Sequence, residues 1–257
     1  MGNWDNKEVM KIKAKEHTDA INNNPKLAMY SSKSAESVTY FEAKPRISLR
    51  VIDTDAVSAL FSLPEDGKKG ILDFASFKNP GGKFIEGAMA QEEALCHASN
   101  LYNILSDKQI VYEFYGDNSK NLNKSLYTDR VLIVPNVFFW RTDENKKNHA
   151  LAAKVIVAAA PNAGAAKKYC SVPEEEITKV IYSRVNAVLM AAAKSDIDDI
   201  VLGAFGCGVF ACNPETVAKA FKFYLSSAYA HEFRNVVFAI PKRNDGNFAT
   251  FENVFKS

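Results

Sequence analysis

Two Gly-rich turns stand at places where a short apolar run gives way to a helix. The run GILDFAS at 70–76 precedes Asn79-Pro80-Gly81-Gly82, and the run at 199–205 precedes Gly206-Cys207-Gly208. Apolar runs of this length are typical of strands that are buried on both faces of a parallel sheet. Ligands of such sheets bind beyond the carboxyl ends of the strands, which share one edge. The sequence therefore predicts that the two turns meet at one cleft.

Apolar runs and helical patterns alternate along the rest of the chain. Strands are predicted at 38–43, 47–53, 70–76, 131–139, 155–160, 199–205 and 235–240, of which 131–139 and 155–160 are expected to be central and parallel. Helices are predicted at 5–22, 54–61, 88–105, 173–193, 215–229 and 248–255, with Asn213 and Pro214 as N-cap and first helical residue of the helix at 215–229. This order predicts an α/β fold of three layers with a mixed, largely parallel central sheet. We expect one domain at 38–257, preceded by an N-terminal helical extension at 1–37.

The composition argues against several classes of protein. The chain has 257 residues, of which 47% are hydrophobic and 24% charged, and its net charge of +2 gives no reason to expect nucleic acid or a membrane as a partner. The four cysteines form no CxxC pair and the four histidines show no ligand spacing, so we expect no metal and no cofactor. Because no apolar signal segment is present at the N-terminus, we expect a cytoplasmic protein, or a nuclear one in a eukaryote. We also expect a monomer.

Gln91-Glu92-Glu93 follows the first turn at the start of a helix. Adjacent glutamates usually form a solvated helix face, but these lie shortly beyond a turn whose backbone a ligand can approach. The positive end of the helix would favour their ionised forms, whereas burial by a substrate would favour a bound proton. A carboxylic acid beside a sugar is what the cleavage of a glycosidic bond needs. Asp73 is a further carboxylate inside an apolar strand, and we interpret it as structural.

The turns themselves indicate a phosphorylated sugar as ligand. Their backbone amides suit phosphate or ribose oxygens, and two such turns in one domain suit a diphosphate that carries two sugars. Neither turn is a GxxxxGK[ST] loop, so hydrolysis of a nucleoside triphosphate is disfavoured. Asn79 offers a donor and an acceptor to ribose hydroxyls, and Phe210 closes the second turn. At Gly208 we expect a positive φ and close contact with the diphosphate, which would exclude valine.

These motifs together resemble the bacterial-type poly(ADP-ribose) glycohydrolases, a divergent branch of the macrodomains. The family signature is Gly-Gly-Gly, a short spacer and Gln-Glu-Glu, and this chain has Gly81-Gly82-Lys83, the seven residues 84–90 and Gln91-Glu92-Glu93. Further matches are DFAS at 73–76, AAAPN at 158–162 and LGAFGCGVFACNP at 202–214. The resemblance spans roughly residues 40–255, which is nearly the whole chain.

The resemblance implies hydrolysis of the glycosidic bond of ADP-ribose in poly(ADP-ribose) or in an ADP-ribosylated protein. It makes Glu93 the catalytic acid and Glu92 the residue that positions the ribose. It also places Asn79 on the terminal ribose, the second turn on the diphosphate and Phe210 on a ribose. The substrate-binding residues that it implies are Asn79, Gly81, Gly82, Gln91, Gly206, Cys207, Gly208, Val209 and Phe210.

Three alternatives to a polymer-cleaving enzyme stay open. The chain could be a non-catalytic module that binds ADP-ribose, although such a module would not need Gln-Glu-Glu. It could also remove single ADP-ribosyl groups from proteins, or deacylate esters of ADP-ribose. Lys83 replaces the third glycine of the family signature, and we expect its side chain either to restrict access of polymer or to pair with Glu86 in solvent.

Overall fold

The computed structural model describes residues 4–36, 46–142, 146–243 and 246–256, so the strand predicted at 38–43 lies outside it. The chain divides into two compact units, 1–43 and 44–257. The first unit contains two helices, α1 (Trp4–Asn22) and α2 (Pro25–Glu36). The predicted helix at 5–22 is thus confirmed, and Pro25 begins a second helix. Among the described residues, none of the helices combines the length and the apolar composition that crossing a membrane requires.

The described residues of the second unit form a six-stranded sheet. Its strands are β1 (Ser48–Ile52), β2 (Lys69–Phe74), β3 (Leu132–Thr142), β4 (Asn148–Ala158), β5 (Asp199–Leu202) and β6 (Asn235–Ala239). They lie in the order β1-β6-β5-β2-β4-β3, and every neighbouring pair is parallel except β3 with β4. The predicted mixed, largely parallel sheet is confirmed.

The prediction that 131–139 forms a central parallel strand is wrong. This segment belongs to β3, which is the outermost strand on its side and runs antiparallel to β4. Only five residues, 143–147, connect the two strands. A parallel neighbour would need a crossover of about a dozen residues or more, so a connection this short returns the chain in the opposite direction.

Helices cover both faces of the sheet and make three layers. They are α3 (Ala56–Phe61), α4 (Gln91–His97), α5 (Leu101–Leu105), α6 (Lys108–Ile110), α7 (Asp117–Lys120), α8 (Ala163–Cys170), α9 (Glu174–Lys194), α10 (Pro214–Leu225) and α11 (Asn247–Lys256). Short 3-10 turns occupy Phe84–Glu86 and Asn123–Ser125, and a π-helical stretch occupies Val111–Gly116. One apolar core joins α3, α4 and α5 to the sheet, and a second joins α8 to α11 to its other face. The predicted three-layer α/β fold is confirmed.

The start of α10 follows directly from the sequence. Asn213 accepts a hydrogen bond from the Thr216 N–H at 3.0 Å, and Pro214 is the first helical residue, as predicted. The helix ends at Leu225 rather than near Tyr229, and the C-cap residue Ser226 donates its N–H to the carbonyls of Lys222 and Tyr224.

Residues 88–105 do not form the single helix that was predicted. The chain is helical at α4 and again at α5, and between them it pairs with β3. The Trp140 N–H donates to the Ala98 carbonyl at 2.9 Å, and the Phe138 N–H donates to Asn100 Oδ1 at 2.9 Å. The Ala98 carbonyl thus accepts an N–H of β3, whereas in a continuous helix it would accept an N–H four residues further along the chain.

Candidate active site

The two Gly-rich turns lie side by side at the carboxyl edge of the sheet, as predicted. The strands that lead into them, β2 and β5, are parallel neighbours with Ile71 opposite Val201. The ring of Phe74, at the end of β2, lies 5.5 Å from the ring of Phe205, the residue before the second turn. The fold therefore brings both turns to one place.

Gly82 lies directly against the two glutamates. Its φ is +61°, and a Cβ atom here would lie 2.5 Å from Glu93 Oε1 and 2.9 Å from Glu92 Oε2. No other residue fits, because both the left-handed backbone and the space exclude a side chain. The first turn is thus packed on the carboxyl groups through bare backbone.

Glu92 and Glu93 are both buried, at 4% and 6% exposure. The Ser76 N–H donates to Glu92 Oε2 at 2.7 Å, and the Lys83 N–H donates to Glu93 Oε1 at 2.9 Å. Within the described chain, the second oxygen of each group, Glu92 Oε1 and Glu93 Oε2, has no hydrogen-bond partner. Each carboxyl group is therefore fixed through one oxygen, while its other oxygen is buried and has no partner among the described residues.

Burial changes the proton affinity of this cluster. It raises the pKa of Glu92 from 4.5 to about 10, with a further contribution from the nearby Asp73 carboxyl, while the Ser76 N–H opposes the shift. Glu92 is therefore a neutral carboxylic acid at pH 7. The expectation that the helix end favours the ionised form is wrong for Glu92, because the loss of water on burial and the nearby Asp73 carboxyl group favour the bound proton.

Asp73 adds a third carboxyl group behind this pair. It is fully buried in β2, and neither of its oxygens has a hydrogen-bond partner among the described residues. Burial, followed by repulsion from Glu93, raises the pKa of Asp73 to about 8. The interpretation of Asp73 as structural stays a prediction, and a buried carboxyl group without a partner inside an apolar strand is also a feature of functional sites.

Gln91 anchors the helix that carries both glutamates. Its Oε1 accepts the Phe74 N–H and its Nε2 donates to the Leu72 carbonyl, both at 2.8 Å. The side-chain amide thus ties the start of α4 to the main chain of β2. The prediction that Gln91 contacts substrate stays a prediction, while its described hydrogen bonds fix the position of the helix.

The second turn is shaped by Gly206 rather than by Gly208. Gly206 has a φ of +76°, and a Cβ atom there would lie 2.5 Å from the Cβ of Ala160. Gly208 has no atom within 4 Å of a Cβ position, and its φ lies outside the left-handed region. The expected positive φ at Gly208 is therefore wrong, although its open surroundings leave room for a ligand.

The remaining predicted residues lie around the two turns. Asn79 is exposed, its N–H donates to Ser76 Oγ at 3.2 Å and its carbonyl accepts the Gly82 N–H at 3.0 Å. Cys207 is half-buried, Val209 is 92% exposed, and Phe210 is half-buried against the ring of Tyr127. Tyr127 itself was not identified from the sequence.

The Lys83 side chain points to solvent beside the first turn. It is 68% exposed, and its Nζ lies 3.6 Å from Glu86 Oε2. Its main chain, by contrast, faces the carboxyl groups, because the Lys83 N–H donates the hydrogen bond to Glu93. The residue at the third glycine position of the signature therefore holds Glu93 through its backbone N–H and carries an exposed, positively charged side chain near Glu86.

No group of three or more His, Cys, Asp or Glu residues that could hold a metal ion is present in the described ranges. The chemistry that the site offers rests on its carboxyl groups and its backbone amides. Two adjacent buried carboxyl groups under a glycine turn offer a group that can exchange a proton at a bound sugar and a second group that can position it.

Comparison with solved structures assigns the fold to the macrodomain-like glycohydrolases. The poly(ADP-ribose) glycohydrolase of Deinococcus radiodurans, solved in complex with ADP-ribose, is 31% identical over 82% of this chain and 84% of that chain, with a TM-score of 0.74. The enzyme of Thermomonospora curvata, solved with the inhibitor ADP-HPD, is 31% identical over 80% of this chain and 78% of that chain, with a TM-score of 0.72. Among curated proteins, no relative was matched.

A family model agrees with the structural likeness. The model for the microbial-type PARG catalytic domain, where PARG denotes poly(ADP-ribose) glycohydrolase, matches residues 2–142. This chain belongs to the microbial-type poly(ADP-ribose) glycohydrolase family.

Proposed function

We propose that this chain hydrolyses the glycosidic bond of ADP-ribose in poly(ADP-ribose) or in ADP-ribosylated protein, and releases ADP-ribose. The observation that carries the proposal is the buried pair Glu92 and Glu93 beneath Gly82, each with one oxygen unpaired in the described chain. Burying two carboxyl groups side by side is costly. A module that only binds ADP-ribose has no need of buried carboxyl groups, whereas an acid catalyst needs a carboxyl group positioned at the bond that is cleaved.

Glu93 is the proposed general acid. The Lys83 N–H holds its Oε1, so its Oε2 is the oxygen that can exchange a proton with substrate. Proton transfer from Glu93 to the leaving oxygen accompanies cleavage of the bond between that oxygen and the anomeric carbon. A water molecule then adds to the oxocarbenium-like sugar and gives a proton back to Glu93.

Glu92 is the proposed ribose-positioning residue. Its Oε2 accepts the Ser76 N–H, so the proton that burial retains resides on Oε1. A neutral acid in this place donates a hydrogen bond to a ribose hydroxyl without adding negative charge beside Glu93. This division of labour explains why two adjacent residues of the same type are needed.

The second turn is proposed to hold the diphosphate. Val209 is exposed and the surroundings of Gly208 are open, and the strands that lead into the two turns are neighbours, which suits a ligand that extends from a sugar at Gly82 to phosphates at the second turn. The Deinococcus radiodurans relative was solved with ADP-ribose, a ligand of this kind.

The test is the release of ADP-ribose from defined substrates. The protein would be incubated with poly(ADP-ribose) and with peptides that carry one ADP-ribosyl group on Ser, Arg or Glu, and free ADP-ribose would be measured. We expect release from the polymer by wild type and release that is about 100- to 10,000-fold slower by the matched variant Glu93→Gln. Binding of ADP-ribose without release from any substrate would show a non-catalytic module, and release from the Glu-linked peptide alone would show an ester deacylase.

A further inference from the structure

Three aromatic rings connect the two Gly-rich turns. Phe77, which is buried between β2 and the first turn, stacks on Tyr127 with ring centroids 4.2 Å apart and an interplanar angle of 12°. Phe210, at the end of the second turn, meets Tyr127 edge to face at 5.9 Å. Tyr127 is therefore the middle ring, and the outer rings belong to the segments that carry the proposed sugar and diphosphate contacts.

The backbone at Tyr127 is held in an unfavourable conformation. Its φ is +64°, which is rare for an aromatic residue, and the three residues at 123–125 also have positive φ values of 44°, 51° and 67°. Such a run persists only where the surrounding structure fixes it, and strained residues of this kind cluster at functional sites.

A buried arginine fixes the strained loop. Arg184, on α9, donates from Nε to Asp129 Oδ1 at 2.7 Å and from a terminal nitrogen to the Leu126 carbonyl at 3.1 Å. Its other terminal nitrogen donates to the Ala159 carbonyl just beyond β4. The guanidinium group thereby ties both sides of Tyr127 to the sheet.

The start of α8 joins the same loop to the second turn. The Asn162 N–H donates to the Ser125 carbonyl at 2.9 Å, and the Gly164 N–H donates to the Phe210 carbonyl at 3.0 Å. The main chains on either side of the Tyr127–Phe210 contact are thus bonded to one short stretch of chain.

We infer that Tyr127 is a positioning residue of the site, whose ring sets the spacing between the first and the second Gly-rich turn. The inference rests on the proposed function, because it concerns a ligand that spans both turns. Tyr127 acts through Phe77 and Phe210 and takes no part in proton transfer. Its loss should weaken the binding of ADP-ribose and raise KM, while kcat at saturating substrate changes little.

The test removes the ring without adding strain. Glycine and asparagine both tolerate a φ of +64°, so Tyr127→Gly and Tyr127→Asn should fold at least as readily as Tyr127→Ala. Because two ring contacts are lost, we expect affinity for ADP-ribose to fall about 10-fold and KM on poly(ADP-ribose) to rise about as much. Tyr127→Phe, which keeps the ring, should bind within about 3-fold of wild type.

The matched control is Lys124→Gly. Lys124 is exposed, has a φ of +51° in the same loop and does not belong to the row of rings. Its replacement relieves the strain and removes only an exposed ion pair with Glu176, in which the charged atoms are 3.9 Å apart, so it should leave affinity unchanged. Calorimetry with ADP-ribose and steady-state kinetics would be run on all variants that melt like wild type. Wild-type affinity in both Tyr127→Gly and Tyr127→Asn, or a loss in kcat with unchanged KM, would overturn the inference but not the proposed function. Wild-type protein that binds no ADP-ribose would overturn the proposed function, and the inference with it.

Discussion

Glu92 and Glu93 are neighbours in the chain, but their carboxyl groups have different surroundings. We predict that Glu93→Gln lowers the rate of ADP-ribose release by about 100- to 10,000-fold, because an amide cannot supply the proton of a general acid. Glu92→Gln should lose less, since an amide resembles the neutral acid that burial maintains at Glu92 and can still accept the Ser76 N–H. Both variants should bind ADP-ribose within about 10-fold of wild type.

Turnover measurements and calorimetry on the two variants decide between the roles. If Glu92→Gln were the more severely impaired variant, the proton of Glu92 would be the one used in bond cleavage. A Glu93→Gln variant with more than about a tenth of the wild-type rate would remove Glu93 from the mechanism.

Lys83 is predicted to set the preference between polymer and single ADP-ribosyl groups. Its ammonium group is solvated beside the first turn and only loosely paired with Glu86, so it can reach a substrate that extends beyond the terminal ribose. We expect Lys83→Gly to raise the rate on poly(ADP-ribose) relative to a mono-ADP-ribosylated peptide. Glycine keeps the N–H that donates to Glu93, so the catalytic carboxyl group stays held.

Both substrates should be compared with both proteins under the same conditions. Glu86→Gln is the matched control, because it removes the partner of Lys83 and keeps the lysine. An unchanged ratio of the two rates in Lys83→Gly would show that Lys83 is only a solvent-exposed side chain.

At the scale of elements, the attachment of α4 to β2 depends on one side chain. Gln91→Leu leaves the Phe74 N–H and the Leu72 carbonyl without their partner at the end of a buried strand. We predict that it lowers the free energy of unfolding by about 2 kcal/mol and reduces activity, because α4 carries both glutamates. Urea unfolding would measure the loss. Gln109→Leu removes an exposed amide and should change stability little, so an equal loss in both variants would contradict the role of Gln91.

Most elements could be predicted from the sequence because apolar runs and caps are local signals. The Asn213-Pro214 start of α10 and the buried run of β2 are of this kind. The direction of β3 and the break at Ser99 and Asn100 could not be predicted in the same way. Both depend on which strand the chain meets in space, and periodicity carries no information about that.

In the candidate site, too, some features could be predicted from local sequence signals and others depend on contacts in space. Glu92, Glu93 and Gly82 were identified from motifs, and the structure brings these three residues together. Tyr127 was missed because a tyrosine in a polar loop has no distinctive pattern, and its meaning comes from rings at 77 and 210. The neutral state of Glu92 was also out of reach, since it depends on burial beside Asp73.

At the scale of the whole molecule, the buried acids couple stability to pH. The pKa is raised on folding from 4.5 to about 10 for Glu92 and from 3.8 to about 8 for Asp73, so the folded state binds more protons than the unfolded state between these values. The contribution of these two groups to the free energy of unfolding is therefore at its full value below about pH 4. It falls as the pH rises, by up to about 1.4 kcal/mol per pH unit for each group. We predict a lower free energy of unfolding at pH 8 than at pH 5, measured by urea unfolding.

Glu92→Gln isolates the contribution of Glu92, because glutamine does not titrate while other groups remain. Its free energy of unfolding should depend on pH less steeply than that of wild type, by about one proton between pH 5 and pH 8. Parallel pH profiles for the two proteins would mean that Glu92 loses its proton as readily in the folded state as in the unfolded one.

The pairing of residues 98–100 with β3 also bears on how this protein behaves at high concentration. Phe138 and Trp140 are half-exposed on the outer strand, and an outer strand with exposed aromatic side chains is a usual starting point for aggregation. Here the N–H groups of both residues already donate to the chain's own Ala98 and Asn100. A second molecule can therefore contact these rings, but it cannot add a strand to the sheet through these two N–H groups. The exposed aromatic surface of the enzyme is thus not accompanied by free strand N–H groups at Phe138 and Trp140.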